Sequence, residues 1–111
     1  GEVVFNRELL EILYPSPYLA ELRKVLKNDN LDPLIVLSLI RQESVFNPLA
    51  RSPVGARGLM QIMPTTARRL KRSVREKHLA NPSVNIELGT KYIKNLLKRY
   101  DGNLVYVLGA Y

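Results

Sequence analysis

Apolar positions repeat at helical spacing along most of the chain. In residues 18–28, 33–46 and 83–100, apolar side chains recur three or four positions apart, which is the spacing of one helix face. The segment 33–46 is apolar nearly all round in its first two turns, a pattern typical of a buried helix. We therefore predict a mostly α fold built around that segment.

Local signals mark where these helices begin. Asp32-Pro33 combines an N-cap carboxylate with a proline in the first helical turn. Met63-Pro64 opens a further helix with a proline in its first turn, and Asn103 is suited to cap a last one. The chain thus reads as a series of helices with short connections.

The segment 47–63 departs from the helical pattern. Pro53, Gly55 and Gly58 lie close together in it, which predicts a loop with some extended backbone, such as a small hairpin. Glycines in such a loop serve either turn geometry or close approach of the backbone to a ligand. Met60 in the same loop fits either the core or a contact with a sugar ring.

The length of 111 residues predicts one domain. We divide the chain into residues 1–17, a linker or short helix ended by Pro15 and Pro17, and a domain over residues 18–111. A short apolar helix at the chain end looks cut, which predicts further sequence beyond it.

Composition limits the chemistry that the chain can perform. It has no cysteine and a single histidine, His78, so disulfides, thiolate metal sites and multi-histidine zinc sites are excluded. We expect no metal and no cofactor. No apolar run approaches the ~20 residues of a membrane-spanning helix. No basic start followed by an apolar core marks an export signal, so we expect any such signal to lie outside this sequence.

The net charge of +7 predicts an anionic partner. Nucleic acid, anionic lipid and cell-wall polymers all qualify, and so does the plain alternative of solvated helix faces. A nucleic-acid role lacks support beyond charge, because the chain has no tryptophan and two phenylalanines for base stacking. We expect no nucleic acid as partner.

Glu43 is the candidate catalytic residue. Its neighbours on the same helix face are Ile40, Leu39 and Val36, so it shares an apolar stripe near the negative end of its helix. Burial and the helix dipole both disfavour ionisation and predict a raised pKa, as a general acid requires. The alternatives are a surface glutamate, or one that pairs with Arg41 or Arg57.

No second carboxylate is suited to assist Glu43. The segment between residues 44 and 75 contains no aspartate or glutamate. Ordinary glycoside hydrolysis uses two carboxyl groups that flank the scissile bond. Any chemistry at Glu43 is therefore expected to use one.

Two linked blocks carry a family resemblance. The first is Ile40-Arg-Gln-Glu-Ser44 with Phe46-Asn-Pro48, and the second runs from Ala50 to Ala67 as Ala-Arg-Ser-Pro-Val-Gly-Ala-Arg-Gly-Leu-Met-Gln-Ile-Met-Pro-Thr-Thr-Ala. With Asn85-Ile86 and Gly109-Ala-Tyr111, they resemble the catalytic domain of soluble-type (family 1) lytic transglycosylases, which cut bacterial peptidoglycan.

The resemblance implies a lysozyme-like fold, mostly α and α+β in the broad sense, and the roles of five residues. Glu43 matches the family's sole acid/base. Ser52, Gln61 and Met63 match positions that line the glycan cleft, and Tyr111 matches a tyrosine that faces the glutamate. We expect the Tyr111 phenol to donate a hydrogen bond to Glu43. The family motif Ala-Tyr-Asn-Ala-Gly stops here at Tyr111, so we expect the C-terminal part of the domain to be missing.

The implied activity is non-hydrolytic cleavage of the bond between N-acetylmuramic acid and N-acetylglucosamine, with formation of a 1,6-anhydro ring. The alternatives are a lysozyme-like hydrolase of the same bond and a wall-binding module without activity. Peptidoglycan glycan strands are then the partner, the bacterial periplasm or cell envelope is the location, and we expect a monomer.

Overall fold

The computed structural model describes residues 16–111, and in this part of the chain the fold is helical. The elements, in chain order, are α1 Ser16–Val25, α2 Pro33–Ser44, α3 Pro64–Leu70, a short 3₁₀ helix Glu76–Ala80, α4 Pro82–Arg99 and α5 Leu104–Ala110. The prediction for residues 1–17 falls almost wholly outside the described residues. Residues 16 and 17 already belong to α1, which begins two residues earlier than predicted.

Side-chain caps mark three helix starts, and two of them, at Asp32 and Asn103, lie where the sequence predicts them. Asp32 accepts a hydrogen bond from the Leu34 N–H at 2.9 Å. Asn81 accepts one from the Val84 N–H at 3.3 Å, and Asn103 accepts one from the Tyr106 N–H at 3.3 Å. Each cap satisfies a backbone donor that the first helical turn leaves free.

The longest described helix, α4, forms the centre of the domain. It contacts α1, α3, α5 and the 3₁₀ helix. Its buried face presents the apolar residues Ile86, Leu88, Ile93 and Leu96 together with two polar ones, Asn85 and Thr90. The sequence predicted that α2 would hold this central place, and this is wrong, because α2 gives only part of its apolar surface to the core.

The apolar surface of α2 serves two purposes. Val36, Leu37 and Ile40 are fully buried in the core. Leu34 and Ile35 are half-buried and line an open groove instead. The apolar pattern all round this helix therefore combines a face in the core with a face in the groove. The spacing of apolar residues does not distinguish the two faces.

Helix α2 ends at Ser44, two residues before the predicted boundary. Val45 and Phe46 both adopt left-handed backbone conformations, with φ of 51° and 60°. This conformation is costly for a residue with a side chain, and most of all for a β-branched one such as Val45. The chain therefore turns sharply just after Glu43 and Ser44, before Asn47-Pro48 is reached.

The predicted extended element in residues 47–63 is present as two isolated antiparallel bridges. Arg57 pairs with Arg51 on one side and with Ile62 on the other. The Arg57 and Ile62 backbones exchange two hydrogen bonds of 3.0 Å. We call residues 50–62 the bridged loop.

Replacing Val45 with glycine should stabilise the protein. Val45 is 77% exposed and left-handed, so Val45→Gly loses little packing and relieves backbone strain. We expect the free energy of unfolding to rise by about 0.5–1 kcal/mol in urea denaturation. Val54 is equally exposed without a positive φ, so Val54→Gly should lower it by about 0.5–1 kcal/mol. A loss of stability in both variants would contradict strain at Val45.

Candidate active site

Glu43 lies in an open groove between α2 and α5. The α2 side consists of Leu34, Ile35, Ser38, Leu39, Gln42 and Glu43, and the α5 side of Leu108 and Gly109. Glu43 is half-buried and is the only carboxylate among these lining residues. It therefore lies where the core face of α2 meets the groove, rather than in the core face itself.

Burial raises the pKa of Glu43 above its ordinary value of 4.5. Partial removal of the carboxylate from water disfavours its charged form. This confirms the direction that the sequence predicts. The carboxyl group thus keeps its proton to a higher pH than an exposed glutamate does, as a general acid requires.

Most other described carboxylates have an evident structural or surface role. Asp32 caps α2, and Asp29 forms an ion pair with Lys94 at 3.0 Å. Glu76 pairs with Arg57, and the exposed Glu87 lies 4.0 Å from Lys71. Asp101 occupies a left-handed position in the turn after α4. In the described part of the chain, no cluster of three histidine, cysteine or acidic side chains is placed to hold a metal ion.

Ser44 fastens the end of α2 to the bridged loop. Its buried hydroxyl lies 2.7 Å from the Leu59 carbonyl oxygen and 3.1 Å from the Ile40 carbonyl oxygen, within donating distance of both. The contact with Leu59 crosses from the helix to the loop directly beside Glu43. The position of the glutamate along the groove is therefore tied to the position of the loop.

Of the predicted glycan-cleft residues, Ser52 and Gln61 organise the bridged loop. The Ser52 hydroxyl oxygen accepts a hydrogen bond from the Ala56 N–H at 3.0 Å. The Gln61 amide nitrogen donates to the carbonyl oxygens of Ala50 at 3.1 Å and Gly58 at 2.9 Å. The hydrogen bonds of the Gln61 amide nitrogen thus lie within the loop.

Met63 is half-buried at the start of α3. Neither Met63, Ser52 nor Gln61 is among the residues that line the groove at Glu43. Their contact with a glycan therefore stays a prediction.

Asn85 on α4, which the sequence marked only as part of the family resemblance, supports the site from below the bridged loop. It is fully buried, and its side chain makes three hydrogen bonds. Its oxygen accepts from the Met60 N–H at 2.8 Å, and its nitrogen donates to the carbonyl oxygens of Arg57 at 3.0 Å and Leu79 at 2.9 Å. The Asn81-Pro82 helix start places an asparagine in the first turn of α4, where its amide reaches the loop.

Two glycines allow the loop to approach α4 closely. A Cβ on Gly58 would lie 2.2 Å from the Asn85 amide nitrogen, and one on Gly89 would lie 2.2 Å from the Met60 sulfur. Gly58 also has φ of 79°. Of the open alternatives, Gly58 thus serves internal packing, and the fully buried Met60 is a core residue.

Tyr111 reaches the same loop from the end of α5. Its hydroxyl donates a hydrogen bond to the Met60 carbonyl oxygen at 2.7 Å. The expected hydrogen bond from the phenol to Glu43 is therefore wrong, because the single phenolic proton goes to Met60. Burial is the main cause that raises the pKa of Tyr111, and the neighbouring Glu43 and Tyr92 add to it, so the phenol stays protonated and keeps this bond.

The helical fold, the lone carboxyl in a groove and the bridged loop fastened beside it are the combination expected of a lytic transglycosylase domain. The Transglycosylase SLT domain family matches residues 21–111. The chain belongs to this family, and this confirms the predicted lysozyme-like fold.

Individual relatives agree with this assignment. The chain is 33% identical over 109 residues to a putative soluble lytic murein transglycosylase of Haemophilus influenzae, covering 94% of this chain and 18% of the relative. The 70 kDa soluble lytic transglycosylase of Escherichia coli superposes with a TM-score of 0.79 at 30% identity, covering 89% of this chain and 17% of that one. An inactive mutant of the Pseudomonas aeruginosa lytic transglycosylase Slt gives 0.78 at 37% identity, covering 88% and 17%. The chain thus spans less than a fifth of each relative's length.

Replacing Asn85 with aspartate should destabilise the protein strongly. Aspartate keeps an acceptor for the Met60 N–H, but it loses the donor for the Arg57 and Leu79 carbonyl oxygens. We expect Asn85→Asp to lower the free energy of unfolding by at least about 3 kcal/mol in urea denaturation. Thr90 is equally buried, but its hydroxyl bonds only carbonyl oxygens of α4, so Thr90→Val should cost about 1 kcal/mol. Equal losses would contradict a linking role for Asn85.

Replacing Tyr111 with phenylalanine should destabilise the loop without shifting the titration of Glu43 upward. Tyr111→Phe leaves the Met60 carbonyl oxygen without its donor, so we expect a loss of about 1–3 kcal/mol in thermal or urea unfolding. The alkaline limb of the pH–rate profile should not move to higher pH, because the phenol donates no hydrogen bond to Glu43.

The matched control is Tyr92→Phe. The Tyr92 ring lies 5.4 Å from that of Tyr111, and its hydroxyl makes no hydrogen bond to other described residues, so its removal should change little. An upward shift of the alkaline limb in Tyr111→Phe alone would show that the phenol does donate to Glu43.

Proposed function

We propose that the protein is a peptidoglycan lytic transglycosylase that uses Glu43 as its sole acid/base. The observation that carries the proposal is the lone Glu43 carboxyl group, half-buried in the groove with a raised pKa. Membership of the SLT domain family and the relatives named as murein transglycosylases support the substrate.

The proposed reaction needs one carboxyl group in two successive roles. Protonated Glu43 donates its proton to the glycosidic oxygen as the bond from muramic acid C1 breaks. The carboxylate so formed accepts the proton of the muramic acid C6 hydroxyl, whose oxygen attacks C1 and closes the 1,6-anhydro ring. The nucleophile belongs to the substrate, and intramolecular attack has a large effective molarity.

A lysozyme-like hydrolase is the competing activity at the same bond. Hydrolysis with two carboxyl groups needs a second acid across the groove, and Glu43 is the only acid among the groove residues. This favours the non-hydrolytic reaction. The raised pKa of Glu43 likewise favours an active enzyme over a wall-binding module without catalysis.

Location and partners follow from the proposed substrate. We propose that the protein acts in the bacterial cell envelope on peptidoglycan glycan strands, with the periplasm as the compartment. In residues 16–111, no helix combines the length and apolar character needed to cross a membrane. The exposed cations Arg68, Arg69 and Arg72 are suited to assist encounter with the anionic wall. Action as a monomer stays a prediction from the sequence.

Replacing Glu43 with glutamine should remove activity and preserve the fold. Glutamine has the same shape but no acidic proton, so we expect Glu43→Gln to lower cleavage of purified sacculi by about a hundred- to ten-thousand-fold. In digests by the parent protein, mass spectrometry should find anhydro-muropeptides, which are lighter by one water than hydrolysis products and carry no labelled oxygen from the solvent. Digests by Glu43→Gln should contain none. Glu87→Gln, at an exposed glutamate, should leave the rate unchanged.

The stability of the same variant checks the cause of the raised pKa. The folded state binds the Glu43 proton more tightly than the unfolded state. The contribution of this proton to the free energy of unfolding is therefore fully present below pH 4.5, the ordinary value for the unfolded chain, and is lost as the pH rises through the folded pKa. Glu43→Gln should therefore gain stability relative to the parent as pH rises above 4.5.

Near-parental cleavage by Glu43→Gln would show that Glu43 is not the acid/base.

A further inference from the structure

The turn that follows Glu43 contains two strained residues in succession. Val45 and Phe46, which come directly after Ser44, are both left-handed, with φ of 51° and 60°. One left-handed residue is enough to end a helix, and glycine usually supplies it. A residue with a side chain carries a steric cost in this conformation, so the surrounding structure has to hold both residues in place.

An aromatic contact from another helix lies at this turn. The Phe46 ring stacks on the Tyr18 ring of α1, with the ring centroids 6.0 Å apart and an angle of 11° between the ring planes. Both side chains are half-buried. Because stacked rings attract each other beyond the effect of the area that they bury, the pair favours the position that Phe46 takes in the left-handed turn.

Tyr18 is a firm support because its helix is anchored in the core. Leu19, the next residue, is 2% exposed, and Leu22, one turn further along α1, is fully buried. The Tyr18 side chain itself packs against this core, and α1 contacts both α2 and α4. The stack therefore ties the turn after Glu43 to a part of the fold that does not move easily.

Backbone hydrogen bonds connect the turn to Glu43. The Val45 N–H donates to the Arg41 carbonyl oxygen at 3.0 Å, and the Asn47 N–H donates to the Ser44 carbonyl oxygen at 3.0 Å. The first of these bonds closes the helical turn that contains Glu43. If the left-handed turn relaxed to an ordinary backbone conformation, both donors would move and the last turn of α2 would open. The Glu43 carboxyl group would then become more mobile and more exposed to water.

We propose that Tyr18 and Phe46 are positioning residues for Glu43, because their stack holds the left-handed turn and, with it, the last turn of α2. The inference rests on the proposed function, since the proposed reaction is what gives the orientation of Glu43 its importance. It goes beyond that function, because it assigns a part in the reaction to α1, and no described residue of α1 lines the groove. Neither ring has to contact the glycan.

The titration of Glu43 in the full chain tests the proposal without requiring catalysis. Carbon NMR follows the Glu43 carboxyl signal, which is assigned by its absence in Glu43→Gln. Tyr18→Leu keeps an apolar side chain and removes the ring. We expect the pKa of Glu43 in this variant to fall towards its ordinary value of 4.5, because a looser turn lets water reach the carboxylate. An unchanged pKa in folded Tyr18→Leu would overturn the proposal.

Steady-state kinetics on a soluble glycan fragment give a second readout. Tyr18→Leu should lower kcat about tenfold, because a small displacement of the reacting group is costly. KM should change by no more than about twofold, because binding of the intact glycan needs no proton from Glu43. The alkaline limb of the pH–rate profile should move to lower pH with the pKa. A raised KM at unchanged kcat would mean that the ring contacts the glycan, which contradicts a positioning role.

Related variants assign the effect to the stack. Tyr18→Phe keeps the ring and should titrate as the parent does. Phe46→Leu should lower the pKa of Glu43 as Tyr18→Leu does, and the double variant should show the effect of the stronger single variant rather than the sum. Tyr106→Leu is the matched control, because it removes an exposed ring from another aromatic pair, with Tyr100 at 6.1 Å. Equal shifts in Tyr18→Leu and Tyr106→Leu would reduce the effect to general loosening and sink the idea.

A glycine at position 45 separates relief of strain from lost packing. Val45→Gly lowers the steric cost that the stack opposes, so its addition to Tyr18→Leu should restore part of the raised pKa of Glu43. No recovery would show that the stack only fills space, and the proposal would be wrong. Absence of anhydro-muropeptides with the parent protein would refute the lytic activity alone, because the titration needs no turnover.

Discussion

The buried amide of Asn85 is the interaction on which the rest of the site depends. It joins three backbone groups, from Arg57, Met60 and Leu79, to the first turn of α4. The bridged loop closes several hydrogen bonds within itself, and the Asn85 amide is the side chain that ties this loop to α4. A fully satisfied polar group in a dry interior fixes geometry strongly, because every alternative leaves a donor or acceptor unpaired.

Glu43 depends on this arrangement indirectly, through the adjacent residue Ser44. The Ser44 hydroxyl meets the Leu59 carbonyl oxygen, one residue before Met60. On the other side, the Tyr111 phenol holds the Met60 carbonyl oxygen. Helix α2, the bridged loop and the end of α5 therefore meet around one short stretch of backbone. The catalytic candidate itself adds no stabilising contact there, and its burial favours the neutral carboxyl.

Helix positions could be predicted from the sequence because their signals are local. Asp32, Asn81 and Asn103 cap helices within three residues of themselves. The raised pKa of Glu43 was also accessible, since its helical neighbours are apolar. The early end of α2 was not, because Val45 and Phe46 adopt conformations that their side chains disfavour. Such strain persists only where surrounding structure enforces it.

Contacts between distant segments could not be read from spacing. Tyr111 bonds Met60 across 51 positions, and the sequence instead suggested Glu43 as its partner. The sequence marks Asn85 only through the family resemblance, and the folded chain shows that its amide faces the loop. The short 3₁₀ helix Glu76–Ala80 was missed as well, because five residues carry no periodicity to recognise.

The close packing of Met60 on Gly89 has an evolutionary consequence. A Cβ at position 89 would overlap the Met60 sulfur, so neither site can change freely while the other stays fixed. A larger residue on α4 becomes acceptable only after the loop side chain has shortened. Relatives should therefore vary at these two positions as a correlated pair. That linkage would connect the history of the bridged loop to that of the helix on which it packs.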